Sequence, residues 1–402
     1  MYGEPTIRGA RPEDFGEIVV ATAIAFGDEG DRWPEEHVAK DPNHRPELHR
    51  VCEVDGKIVS AMRIVCQDVR YGRAVLKHTG VGDVGTPPEY RRRGYSTLVL
   101  RDAIAHMESL GSHFSILYTG IQPFYERLGW AILPAYEDRF DLTNAATEAS
   151  SQWNGEMLAF DPAQHLDGYR ELYEQFNATR SGTTVREDRY WELRFAEGPR
   201  DDVLVAVADG EVQASAVYEV HEKQSTLRLY EYAGRAGAED ALEALLRELI
   251  RRGQGAGVQT LVADFSTDAV ALWAAARLAE PMQPREVTHV MFRVIDLCGL
   301  LRAALPELSC RAAPVAEQAD GARLRLTWEA QTAVLALDDG ELTVTDSSEN
   351  ARAELDLSSE EIVRLIFGEG APVLPTMPRQ AHLLLQALFP GEDLVVWDTD
   401  SF

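Results

Sequence analysis

The stretch PPEYRRRGYS, residues 87–96, sets Arg91, Arg92 and Arg93 against Gly94, directly ahead of a segment with helical periodicity. A helix N-terminus carries unpaired N–H groups and about half a positive charge. Glycine in the entering loop lets the backbone approach an anion, and arginines add charge-assisted bonds. RRRGYS at a strand-to-helix junction therefore predicts a phosphate cradle. A solvated basic turn is the competing reading. The GxGxxG fingerprint and the Walker A loop are both absent, so the usual nucleotide folds do not account for it.

The arginines stand out because the chain is acidic. It has 402 residues with a formal net charge of −27, 45% hydrophobic and 26% charged. That charge argues against nucleic acid and anionic membranes as partners and favours cationic substrates. The four cysteines, Cys52, Cys66, Cys298 and Cys310, form no CxxC pair, and the ten histidines show no ligand spacing. Both facts argue against a metal site, and the cysteines fit a reducing cytoplasm. The first apolar run follows Glu13, Asp14 and Glu17 rather than a basic segment, which argues against a signal peptide. No stretch approaches the ~18 apolar residues of a membrane span.

The elements that must position the arginines are legible around them. PEDFGEIVVATAIAF predicts a helix. HRVCEVDGKIVSAMRIV predicts a hairpin turning at Asp55-Gly56. VLKHTGVGDVGT predicts a strand leading into the arginine loop. YSTLVLRDAIAHMESL follows as a helix with Leu100, Ala103, Ile104 and Met107 on one face. SHFSILYT predicts a strand and IQPFYERLGW a short helix. A similar order returns about 150 residues later, with a hairpin at Asp209-Gly210, the strand LRLYEYAG and a helix carrying Leu242, Leu245, Leu246, Leu249 and Ile250. This predicts an internal duplication whose second copy lacks the arginine stretch and has GRAGAED instead. From about residue 288 a strand and helix, a meander turning at Asp339-Gly340 and another helix predict a smaller α+β domain.

GVGDVGTPPEYRRRGYS followed by FSILYTGIQPFYERLGW resembles the GNAT acyl-CoA N-acetyltransferases. In that family an [RQ]xxGx[GA] loop binds the pyrophosphate of coenzyme A. Arg91 and Gly94 match the pattern, and Ser96 departs from it while remaining small. Over the whole chain, two GNAT-like copies and a last domain similar to sterol carrier proteins resemble the Eis-type ("enhanced intracellular survival") acetyltransferases. RVIDL and the chain end WDTDSF are supporting local matches. The resemblance implies an α/β (α+β) fold of tandem GNAT domains, each a mixed, splayed sheet flanked by helices. The expected boundaries are 1–148 for the catalytic domain, 149–286 for a degenerate copy and 287–402 for the sterol-carrier-like domain. It also implies acetyl-CoA as co-substrate with no metal, small cationic amines such as aminoglycosides as acceptors, and a hexamer.

Site residues follow by the same resemblance. The strand before the loop splays and binds the pantetheine arm, with Val84, Gly85 and Thr86 flanking the acetyl group. Arg91 to Ser96, including Arg92, Arg93 and Tyr95, form the cradle. Tyr125 falls at the general-acid tyrosine, although a packing aromatic is the plainer reading. The terminal carboxylate of Phe402 is expected at the active site, its docking there implied by the family. Asp28, Glu29, Trp33 and Asp83 are expected on the acceptor side, with Asp398 and Asp400 near the chain end. The expected function is acetyl transfer from acetyl-CoA to amines of small polycations such as aminoglycosides or polyamines, directly through a tetrahedral intermediate. The alternatives are a protein or peptide lysine acetyltransferase and a non-catalytic CoA sensor or lipid-binding scaffold.

Overall fold

The computed structural model describes residues 3–26, 41–147, 153–196, 202–265, 268–346, 351, 353–391 and 394–401. Three Asp-Gly pairs turn its hairpins. Asp55, Asp209 and Asp339 have φ of 51–52° and Gly56, Gly210 and Gly340 have φ of 74–82°. Positive φ at both central residues is the type I′ geometry that matches strand twist.

In chain order, the first part of the chain forms β1 (Thr6–Gly9), α1 (Phe15–Phe26), β2 (His49–Val54), β3 (Lys57–Tyr71), β4 (Ala74–Gly85), α2 (Tyr95–Ser109), β5 (Phe114–Tyr118), α3 (Gln122–Glu126) and β6 (Ala131–Ile132). The middle part forms β7 (Ala135–Asp141), β8 (Glu156–Ala159), α4 (Pro162–Asn177), β9 (Thr184–Val185), α5 (Asp188–Trp191), β10 (Asp202–Ala208), β11 (Glu211–His221), β12 (Thr226–Gly234), α6 (Glu239–Gly255), β13 (Thr260–Ala263), α7 (Ala269–Leu278), β14 (Glu280–Pro281) and β15 (Arg285–Val287). The last part forms β16 (Val290–Val294), α8 (Leu297–Ala303), α9 (Leu305–Ala312), β17 (Ala322–Trp328), β18 (Gln331–Asp338), β19 (Glu341–Thr345), β20 (Ala353–Leu357), α10 (Ser359–Phe367) and α11 (Arg379–Leu388).

Two compact units result. One holds the chain up to Leu133 together with Thr288–Glu392, and the other holds Pro134–Val287 and the segment ending at Ser401. Each contains a large mixed sheet, ordered β1-β2-β3-β4-β5-β16-β6 in the first and β8-β10-β11-β12-β13-β7-β14 in the second. The pairings match step for step: antiparallel throughout except for one parallel contact, β4 with β5 and β12 with β13. The sixth place is exchanged along the sequence. β7, which follows the first copy, completes the second sheet, and β16, which follows the second copy, completes the first.

In the first unit, α2 buries Val99, Leu100, Ala103 and Met107 in one cluster with Met62, Ile64, Val81 and Leu117 of the sheet. In the second, α6 buries Leu242, Leu245, Leu246, Leu249 and Ile250. Each of these side chains larger than alanine contributes roughly 1.5–3 kcal/mol on burial, enough to fix both helices across their sheets. The first unit also holds a four-stranded sheet, β19-β18-β17-β20, with β17 and β20 parallel. No described helix is long and apolar enough to cross a membrane.

Candidate active site

The centre of the first sheet is irregular where the chemistry is expected. β4 runs parallel to β5 from His78–Phe114 to Val81–Leu117, and the pairing stops there. On the other edge, Gly82 pairs with Arg63 and Gly85 with Ala61, so Met62 alone faces both Asp83 and Val84. The extra residue is a β-bulge, and Asp83 takes a left-handed φ of 56° to make it. Beyond Val81 one edge of β4 has no ladder partner in β5. Backbone groups there can hydrogen-bond to something other than the sheet.

Gly85 follows the bulge and must be glycine. A Cβ there would lie 2.7 Å from the Thr22 Cα and 2.9 Å from the Ala21 carbonyl oxygen, so α1 rests directly on the end of β4. Thr86 then caps the strand end. Its Oγ1 lies 2.9 Å from Ser60 Oγ and donates to Ser96 Oγ at 3.4 Å, while Ser60 Oγ donates to the Gly85 carbonyl at 3.1 Å.

The arginine loop runs from Thr86 into α2. Arg91 Nε donates to the Thr86 carbonyl at 2.9 Å, and Arg93 donates to the Glu89 carbonyl at 3.1 Å. Arg92 has φ of 63° and Gly94, the N-cap of α2, has φ of 84°. No side chain caps α2. A Cβ at Gly94 would meet nothing within 4 Å, so glycine is needed there for its backbone angle and the space beside it is open. Arg91, Arg92, Arg93 and Gly94 are all exposed. Tyr95 is instead buried in the cluster beneath, and Ser96 is half-buried. An uncapped helix start, a left-handed turn and three exposed guanidinium groups converge here. That donor set suits a pyrophosphate, and the residues present fit coenzyme A.

Tyr125 lies on α3 and is 6% exposed. Its ring meets Phe124 and Trp130 edge-on, with centroids 4.9 and 6.2 Å apart. It shares its cluster with Val81, Tyr95 and Leu117, and the half-buried Val84 packs against that cluster. Burial pushes its pKa up to about 12, so the phenol keeps its proton at neutral pH.

Asp83 is held by a partner that sequence reasoning missed. Arg63, 2% exposed, donates from Nε to Asp83 at 2.8 Å and from a terminal nitrogen to Asp41 at 2.9 Å. Two carboxylates and one guanidinium leave this buried triad with one formal negative charge. The clue was available in IVSAMRIV, where a lone arginine interrupts an apolar strand and must find carboxylates once buried. Beside it, His44 and His49 stand 3.1 Å apart through their Nε2 atoms. Burial, helped by the charges of His44 and Arg63, pushes the His49 pKa down to about 3.

Asp28, Glu29, Trp33 and Phe402 lie outside the described residues. Asp398 and Asp400 sit in the second unit, both engaged. Asp398 accepts from Arg228 at 2.9 Å. Asp400, 4% exposed, accepts from Arg186 at 2.9 Å and from the Tyr190 hydroxyl at 2.5 Å. Arg186 also pairs with Glu231, and Trp397 donates to Asn177 at 3.2 Å. Burial works against the Arg186 charge, but Asp400 and Glu231 outweigh it and hold its pKa well above the ordinary value.

Among the described residues no group of three or more His, Cys, Asp or Glu could hold a metal ion. The sequence profile of the acetyltransferase (GNAT) domain family matches residues 6–133. An uncharacterised N-acetyltransferase of Streptomyces avermitilis is 23% identical over 179 residues, a match spanning 41% of this chain and less than half, 43%, of that relative. Similar folds over nearly the whole chain occur in several solved structures, three of which follow. A GCN5-related N-acetyltransferase from Anabaena variabilis has a TM-score of 0.74 at 17% identity, covering 99% of this chain and 100% of that one. One from Kribbella flavida has 0.69 at 17%, covering 99% and 98%. Eis1 from Mycobacterium abscessus has 0.67 at 14%, covering 99% and 100%. Residues 6–133, which carry the bulged, splayed β4 and the arginine loop, thus form a GNAT acetyltransferase domain.

Proposed function

We propose that the chain transfers the acetyl group of acetyl-CoA directly to an amine of a small polycation such as an aminoglycoside or polyamine. The observation that carries this reading is the end of β4. Its pairing with β5 stops at Val81, the bulge follows at Asp83–Val84, and the strand leads into the Gly94 loop. Acetyl-CoA supplies an activated thioester, and the chain's own residues do the rest. The N–H groups of α2 and the guanidinium groups of Arg91, Arg92 and Arg93 hold the pyrophosphate. Backbone N–H groups at Val84, Gly85 and Thr86 face the acyl carbonyl, where one oxyanion donor is worth ~3 kcal/mol. Tyr125, protonated at neutral pH, gives its proton to the departing thiolate.

The acceptor is drawn by negative charge. The Asp41–Arg63–Asp83 triad keeps one net negative charge beside the splay, and Asp28, Glu29, Trp33 and the Phe402 carboxylate belong to the same side of this reading. Its wider form includes a sterol-carrier-like role for the part after residue 287 and a hexameric assembly.

Thiol release from acetyl-CoA, followed across aminoglycosides, polyamines and lysine peptides, tests the proposal. Turnover is expected with the small polycations and is lost with Tyr125→Phe. Turnover with lysine peptides alone would replace the acceptor class. No turnover with any amine would remove the activity.

A further inference from the structure

The second unit contains a cavity of about 330 Å³, at the small end of ligand pockets, which run to roughly 300–1,000 Å³. It opens beside the end of β12, where the chain turns through Arg235–Ala238 into α6. By strand order this is the second copy's counterpart of the arginine loop, yet it carries a single arginine, Arg235, in place of the cluster of three. Other residues have taken their place. Arg180 reaches in from just beyond the end of α4, with its guanidinium 3.6 Å above the Phe176 ring. Arg235 reaches in from the loop and is steadied by Gln175 at 3.2 Å, the Val212 carbonyl at 3.4 Å and, outside the cavity lining, the exposed Glu171 carboxylate at 3.5 Å. Phe176, Leu242 and Val270 give the cavity an apolar wall.

We infer that this cavity binds a small monocarboxylate with an apolar body. Two guanidinium groups from separate elements provide a fork for a carboxylate. The cavity's own acids leave it that role. Asp268 is already committed, capping α7 through the N–H groups of Val270 and Ala271 at 3.0 Å and pairing with Arg180 at 3.3 Å. Burial pulls the Arg180 pKa down, so an incoming anion relieves a guanidinium that is partly stripped of water. α6 begins with Glu239 and Asp240, and Glu239 lines the cavity. These two charges oppose a doubly charged phosphate more strongly than a single carboxylate. The same acids argue against coenzyme A here, so this site and the acetyl-CoA site of the first copy are separate.

The test is a fluorine NMR titration of the full chain with fluorobenzoate, with and without saturating acetyl-CoA. Saturable binding at one site per chain is expected, unchanged by acetyl-CoA. Fluorobenzamide and fluorophenyl phosphate should each bind at least tenfold more weakly. Arg235→Met should weaken fluorobenzoate at least tenfold. Ala236→Trp, at an exposed loop position, should block the cavity in a chain whose melting is unchanged. Absence of saturable binding, equal binding of the neutral amide, tighter binding of the phosphate, or wild-type affinity in a folded Ala236→Trp variant would each overturn the inference.

Discussion

The two sheets share one strand order and one irregularity, and differ in what they do with it. In the first, β4 leaves β5 after Val81 and bulges at Asp83–Val84. In the second, β12 leaves β13 after Arg228 and bulges at Tyr230, between Leu229 and Glu231. The first copy sets Val84 at this place and follows it with an exposed arginine loop. The second sets Glu231 there, 1% exposed, and closes it with protein. Arg186, Tyr169 and Thr399 all hydrogen-bond to Glu231, and Arg186 ties in Asp400 from the chain's last segment. A splay in a sheet is thus a vacancy in hydrogen bonding that a chain can spend on a ligand or on itself. Which it does depends on the charge at the bulge and on the loop beyond it.

The contrast breaks most visibly at the two tyrosines. Tyr125→Phe should lower kcat by roughly two to four orders of magnitude, the range of a lost general acid, while acetyl-CoA affinity stays within threefold. Tyr230→Phe, at the second bulge, should leave kcat within twofold. Steady-state kinetics on the two variants checks this. Equal losses would mean that both splays take part in turnover.

Stability gives the next test. Removing the cation from either buried triad leaves two carboxylates without their partner, which costs about 3–5 kcal/mol. Arg186→Met should therefore unfold the second unit at lower denaturant, and Arg63→Met the first. Urea melts followed by hydrogen exchange resolve which strands open first, and an Arg186→Met chain whose β12 exchanges as slowly as wild type would contradict the clamp.

Acid should act first on the first copy. Burial pushes the His49 and His78 pKa values down to about 3, from ordinary values of 6.5. Above pH 6.5 neither state takes the proton, and the stability is fully present. As pH falls from 6.5 toward 3, the unfolded chain binds protons that the folded chain refuses, and stability drops. Each histidine contributes about 1.4 kcal/mol per pH unit across that window. β12 carries no histidine. His78→Leu should flatten the acid limb of Tm against pH, and an unchanged limb would refute the assignment. The smallest effect is Gly94→Ala. A left-handed alanine costs about 1–2 kcal/mol, so stability should fall by that much and acetyl-CoA affinity with it.

How much of this the sequence carried depends on the range of the interaction. Asp-Gly turns, the α2 face and the RRRG junction are local signals, and each appears where it was read. The bulge at Asp83 was not legible, because it exists only as an offset against Met62 on another strand. The exchange of β7 and β16 is non-local in the same way: two strands that look like continuations of their own copies complete each other's sheets. Asp83 and Asp400 were read as open acceptor-side acids because their partners, Arg63 and Arg186, lie far off in sequence. The proposed role of Tyr125 rests on the motif around it, since an aromatic on an amphipathic helix reads first as packing.

The proposed cofactor site lies in the first copy alone, and calorimetric titration of the chain with acetyl-CoA tests that claim most directly. One site per chain is expected, with affinity falling at least tenfold in Arg91→Glu and unchanged when Glu239 and Asp240 are both made alanine. Two equivalent sites, or wild-type affinity in Arg91→Glu, would contradict it.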